Sequence, residues 1–138
     1  MDEKALVAAA IRARENAYCP YSHFAVGAAL LTKQGELYTG CNVENAAFGP
    51  GNCAERTAIF KAVSEGERDF AVLAIVGGPE GGALQSSISP CGVCRQVLAE
   101  FCGPEFPILL AWGEGESERR ACTLGQLLPL SFGPGNLK

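Results

Sequence analysis

Three cysteines and one glutamate carry the chemistry this sequence can do: Cys53 and Glu55 in Cys53-Ala54-Glu55, then Cys91 and Cys94 in Pro90-Cys91-Gly92-Val93-Cys94. Thiolate sulfur is a preferred ligand of Zn²⁺, and three protein ligands on a tetrahedral ion leave one corner for water or substrate. A carboxylate two residues from the first ligand is placed to move protons at that corner. The Cys-x-x-Cys pair alone is weak, because seven cysteines in 138 residues give roughly 0.3 such pairs by chance. Its context strengthens it. Ser89 and Pro90 suit the N-cap and first position of a helix, which puts Cys91 and Cys94 in the first turn on one face. Cys53 heads the helical run Cys-Ala-Glu-Arg-Thr-Ala-Ile-Phe-Lys-Ala-Val, with Asn52 as its cap. The positive end of each helix favours thiolate over thiol.

A closed structural zinc site would need a fourth protein ligand. Cys102 follows Cys94 on the same helix, about 12 Å along its axis, and cannot reach. Cys19, Cys41, Cys122 and His23 remain within possible reach but lack the paired spacing of structural zinc, and His23 reads as a structural histidine. In an extended segment over 36–44, Cys41 points away from the face shared by Asn42 and Glu44. The remaining alternative makes the cysteines small buried hydrophobes.

The elements that must position these residues belong to one domain, residues 1–138, with 48% hydrophobic and 19% charged residues. No apolar run approaches the roughly 18 residues of a membrane span, so no membrane is expected. Met1-Asp2-Glu3-Lys4 leads into a helical pattern, unlike a secretory signal. An odd number of cysteines, three of them ligands, points to a reducing compartment, the cytoplasm. Net charge is −4 and no stripe of Lys and Arg occurs, so a nucleic-acid groove is excluded and a small uncharged substrate favoured.

Helical spacing of Leu6, Ala10, Ala13 and Ala17 predicts a helix over 3–18. Residues 24–32 read as a buried strand, joined through Lys33-Gln34-Gly35-Glu36 to a strand over 37–42. An irregular Gly/Pro segment, 48–52, leads to the Cys53 helix. Residues 71–76 form an apolar strand buried on both faces, followed by a glycine-rich loop at 77–83. The second ligand helix covers 91–102, strands are expected at 107–111 and 118–122, and Thr123 caps a short final helix. This order predicts an α/β fold: a three-layer α/β/α sandwich with a mixed five-stranded sheet, its β-α-β-α-β portion parallel and both ligand helices on one face.

These residues resemble the small, homotetrameric, zinc-dependent cytidine deaminase family over nearly the whole chain. The matching blocks are Tyr18 to Leu30, Cys41-Asn42-Val43-Glu44-Asn45-Ala46, Cys53-Ala54-Glu55-Arg56, Pro90 to Gln96, and Leu127-Leu128-Pro129 ahead of Phe132-Gly133-Pro134. The resemblance implies zinc on Cys53, Cys91 and Cys94 and proton transfer by Glu55. It implies that Asn42 and Glu44 hold the ribose 3′-hydroxyl, that Phe24 and Ala54 contact the base, and that Phe132 enters a neighbouring subunit's site. Arg56 matches the family arginine that hydrogen-bonds the cysteine sulfurs. Many relatives have tyrosine where this chain has Phe48. The implied reaction is hydrolysis of cytidine and 2′-deoxycytidine to uridine and 2′-deoxyuridine with release of ammonia, a step of pyrimidine salvage. A blasticidin-S-type deaminase and a non-enzymatic zinc module are the alternatives.

Overall fold

A computed structural model describes residues 1–85 and 88–138. Asp2 begins the first helix, α1 (Glu3–Arg14), by accepting a hydrogen bond from the Ala5 N–H at 2.8 Å, with Glu3 at the positive end and Arg12 and Arg14 at the negative one. The helix ends four residues before the sequence pattern does. Tyr18 instead pairs with the extended segment beyond Cys41, donating to the Asn42 carbonyl and accepting from the Glu44 N–H.

The strands are β1 (Phe24–Thr32), β2 (Leu37–Cys41), β3 (Phe70–Pro79), β4 (Pro107–Trp112) and β5 (Glu118–Thr123). They form one sheet of order β2-β1-β3-β4-β5, antiparallel except between β3 and β4. The β-α-β-α-β strands do share a direction. β1, however, lies between β2 and β3, so one directly parallel pair remains. β3 also extends through Gly77 and Gly78, which the sequence places in a loop; Gly78 pairs with Ala25. A side chain at Gly78 would collide with the Ala83 backbone, so only glycine permits both pairing and loop return.

Alternation in β1 sorts its residues between two cores. Ala28 and Leu30 face α2 (Ala54–Ser64) and α3 (Gly92–Phe101) together with Ile59, Leu73, Leu98 and Ile108. Ala29 faces α1 with Leu6, Val7, Ala10, Ala74 and Val76. The result is the expected three-layer sandwich, with both ligand helices on one face. Thr123 caps α4 (Leu124–Leu127) through a reciprocal pair with Gln126. Among the described residues, no helix is long and apolar enough to cross a membrane.

Gly40 sets how closely α2 approaches β2. A Cβ there would lie 2.7 Å from the Ala58 nitrogen, and nearer still to the Ala54 carbonyl. Both are helix backbone and neither can swing aside. Gly40→Ala should therefore push the helix carrying Cys53 off the sheet and cost about 1–3 kcal/mol. Thermal melting should fall by roughly 5–10 °C; a melt unchanged from the parent would refute this close contact.

Candidate active site

Cys53 and Cys91 each occupy the N-cap of a ligand helix in extended backbone conformation, and neither sulfur caps its own helix. Their side chains are thereby left to other partners. The expected caps do different work: Asn52 Nδ2 donates to Thr57 Oγ1 at 3.3 Å, and Ser89 Oγ accepts from Arg95. The second helix starts two residues later than the Ser-Pro signal indicates, because Cys91 takes the cap position.

The Cys53 and Cys91 sulfurs are 3.7 Å apart, those of Cys91 and Cys94 3.5 Å, and all three lie within 4.8 Å of one another. Tetrahedral zinc with Zn–S bonds near 2.3 Å needs sulfurs about 3.8 Å apart, so the three fit that ion. Among the described residues no further His, Cys, Asp or Glu joins the group. Cys19, Cys41, Cys102, Cys122 and His23 stay outside it, and His23 is an exposed turn residue with φ 56° rather than a buried one. This leaves an open three-ligand site and disfavours a closed structural one.

The Cys94 thiol, then Arg56 and the Cys91 thiol, lower the Cys53 pKa to about 5 against the opposing effect of burial. The same contact with Cys53, together with burial, raises that of Cys94. The two opposed shifts favour one shared negative charge on the sulfur cluster, and a bound metal would displace the remaining thiol protons. Arg56 Nη2 donates to the Cys53 sulfur at 3.2 Å, while its buried Nε has no partner among the described residues. Three thiolates around a dication leave a net charge of −1, which this guanidinium offsets. Arg56→Ala should lower kcat by about 10-fold or more while shifting the melting temperature little; equal turnover would remove this role.

Glu55, 4% exposed, stands in the first turn of α2 with its side chain lining a cavity of about 740 Å³. Burial first, and the Cys53 thiolate next, raise its pKa to about 7. A carboxyl poised there both takes and gives a proton near neutrality. Phe24, Asn42, Glu44 and Ala54 line the same cavity, as do Cys53, Arg56 and Cys91.

Asn42 and Glu44 share a face as the extended reading requires, and both are already anchored. Asn42 accepts from the Val26 N–H at 2.9 Å and donates to the Phe24 carbonyl at 2.8 Å. Glu44 accepts from the N–H groups of Tyr21 and Ser22 and from the Ser22 hydroxyl, which lower its pKa. Both retain groups for a ligand: the second amide hydrogen and second Oδ1 lone pair of Asn42, and the second lone pair of Glu44 Oε2. Phe132 lies outside this cavity, 59% exposed, with its carbonyl held by Gln96 Nε2 at 2.8 Å. Phe48, 99% exposed, stands at the cavity rim.

Thr57 and Arg95 carry positional work that no spacing rule singled out. Thr57 Oγ1 lies 3.1 Å from the carbonyls of both Cys41 and Cys53, tying the first ligand to β2. The available signal was their place: each stands four residues after a ligand cysteine, one turn along the same helix.

Residues 1–110 match the family profile described as "Cytidine and deoxycytidylate deaminase zinc-binding region". The cytidine deaminase of Sporosarcina psychrophila is 50% identical over 137 residues, covering 99% of this chain and 96% of that protein. The chain belongs to the cytidine and deoxycytidylate deaminase family. Its fold matches the crystal structure of cytidine deaminase from Burkholderia pseudomallei with a TM-score of 0.81 at 46% identity, covering 96% of this chain and all of that one. The blasticidin-S deaminase of Bacillus cereus is 34% identical over 110 residues, covering 78% of this chain and 76% of that protein. Membership in this zinc-binding deaminase family agrees with the donor set: three sulfurs at tetrahedral spacing with a buried acid beside them.

Proposed function

We propose that this protein catalyses the hydrolytic deamination of cytidine and 2′-deoxycytidine, yielding uridine or 2′-deoxyuridine and ammonia. The observation that carries the reading is the open three-sulfur cluster with buried Glu55 beside it, both opening on one cavity. Cys53, Cys91 and Cys94 would hold zinc, which supplies Lewis-acid activation of the attacking water. Glu55 accepts a proton from that water and passes it to N3 of the pyrimidine, making C4 electrophilic. The carboxylate then takes the second water proton from the oxygen now on C4 and delivers it to the departing amino group, so that oxygen stays on C4 as the carbonyl and ammonia leaves. Phe24 and Ala54 flank the base, and Asn42 and Glu44 offer their remaining hydrogen-bonding groups to the ribose 3′-hydroxyl. Arg56 holds the Cys53 sulfur and balances the cluster's charge.

The exposed Phe48, Leu130 and Phe132 support assembly with further copies, a homotetramer in which Phe132 reaches a neighbour's cavity. Seven free cysteines support a reducing compartment, the cytoplasm. The greater identity to cytidine deaminases than to the blasticidin-S enzyme favours the simple nucleoside. The test is ammonia release from cytidine, deoxycytidine, cytosine, dCMP and blasticidin S. Turnover of the first two is expected; turnover of blasticidin S alone, or of none, would overturn the assignment.

A further inference from the structure

Cys91 poses a positioning problem that Cys53 does not. The first ligand follows a segment paired with neighbouring backbone: Val43 and Asn52 exchange two hydrogen bonds at 2.9 Å, and Thr57 bolts the turn to β2. The second ligand is exposed, and among the described residues no strand pairs with Ser89 or Pro90 just before it. Among the described residues, the hydrogen bonds reaching the Pro90 carbonyl and the Ser89 hydroxyl come from one side chain, Arg95.

Arg95 Nε donates to the Pro90 carbonyl at 2.7 Å, Nη2 to Ser89 Oγ at 3.1 Å, and Nη1 to the Leu127 carbonyl at 2.6 Å. Leu127 ends α4, where backbone carbonyls lack helical partners and a cation is favoured. That helix is itself fixed, by its capping box and by Leu124 N–H on the Phe106 carbonyl at 2.9 Å and Gly125 N–H on the Pro104 carbonyl at 2.7 Å. The guanidinium therefore braces the Cys91 turn against a rigid platform 32 residues beyond Arg95 in the chain. The ring of Pro90 fixes φ at that residue, and holding its carbonyl fixes the plane of the Pro90–Cys91 peptide. What remains free at Cys91 is little more than its side-chain rotamer.

We propose that Arg95 is a positioning residue for the metal site, holding the Cys91 sulfur at ligand distance from its two partners by clamping Ser89-Pro90 to the end of α4. This rests on the three cysteines being the zinc ligands. Thr57 and Arg95 are then counterparts, each reaching back one helical turn to lock the cap cysteine of its own helix. Arginine is required because its planar fork serves three acceptors at once, whereas an ammonium on a flexible stem serves them poorly.

The test is zinc affinity by competition with a colorimetric chelator on the purified full-length protein. Arg95→Ala should weaken zinc binding by about 10–100-fold, the usual range for losing an outer partner of a ligand. Arg95→Lys should fall between this variant and the parent. Ser89→Ala, which removes one acceptor and leaves the guanidinium in place, should shift affinity in the same direction by a few-fold and covers the case in which Arg95→Ala does not fold. Gln96→Leu is the control: it lies beside Arg95 on α3 but contacts the Phe132 carbonyl, so zinc affinity should stay at the parent value. At saturating zinc, Arg95→Ala should lower kcat more than it raises KM. Zinc affinities within twofold of the parent for Arg95→Lys and Ser89→Ala would overturn the proposal and leave Arg95 a merely structural clamp. A parent chain that takes up no zinc would overturn the metal assignment beneath it instead.

Discussion

Glu55→Gln should retain zinc and lose turnover by about 10²–10⁴-fold or more, because glutamine fills the same space but carries no transferable proton. The substitution leaves Cys53, Cys91, Cys94 and the Arg56 contact untouched, so metal content separates lost chemistry from a lost site. A second consequence follows from burial. The folded protein raises the Glu55 pKa from an ordinary 4.5 to about 7, so ionising this carboxyl opposes folding. That cost is absent below about pH 4.5, grows between 4.5 and 7, and is constant above. At about 1.4 kcal/mol per pH unit it reaches up to about 3 kcal/mol. In the metal-free protein Glu55→Gln should therefore unfold at higher denaturant than the parent at pH 8, with the difference vanishing near pH 4. Near-parental turnover would end the proton-transfer role, and an equal stability difference at both pH values would contradict the buried, raised carboxyl.

Cys91→Ala should abolish zinc retention and activity while leaving most of the fold intact. The Cys91 side chain is exposed at a helix cap and contributes little to either core. Losing one of three ligands should weaken zinc binding by more than the roughly 10–100-fold that an outer partner is worth. Cys94 provides the contrast: its sulfur is fully buried beside Leu98, so Cys94→Ala should lose both metal and stability. Circular dichroism with zinc analysis distinguishes the two. An active, zinc-loaded Cys91→Ala protein would mean that the ligand set is wrong.

Much of this was legible in the sequence because the signals were local. Thr123 as a helix cap announced α4, and the apolar run after Phe70 announced a strand buried on both faces. The cysteine spacing gave the ligand cluster, and alternation gave a shared face to Asn42 and Glu44. What could not be read were effects of distant backbone. The first helix stops at Arg14 because residues 42–44 take the backbone of Tyr18. Gly77 and Gly78 read as loop, yet β1 pairs with them. Ser89 looked like a cap, but Arg95 recruits its hydroxyl from inside the helix, and Leu127 completes that arrangement from far along the chain. Phe48 is fully exposed at the rim, and nothing in the structure explains phenylalanine at this position.

An open three-sulfur metal centre is the feature on which the chemistry depends, and zinc K-edge X-ray absorption on the purified protein, with metal content per chain, reads it out. One zinc per chain is expected, with three sulfur neighbours at about 2.3 Å and one lighter neighbour at about 2.0 Å that a substrate analogue perturbs. A fourth sulfur or an imidazole completing the shell, or a protein that binds no zinc, would contradict it.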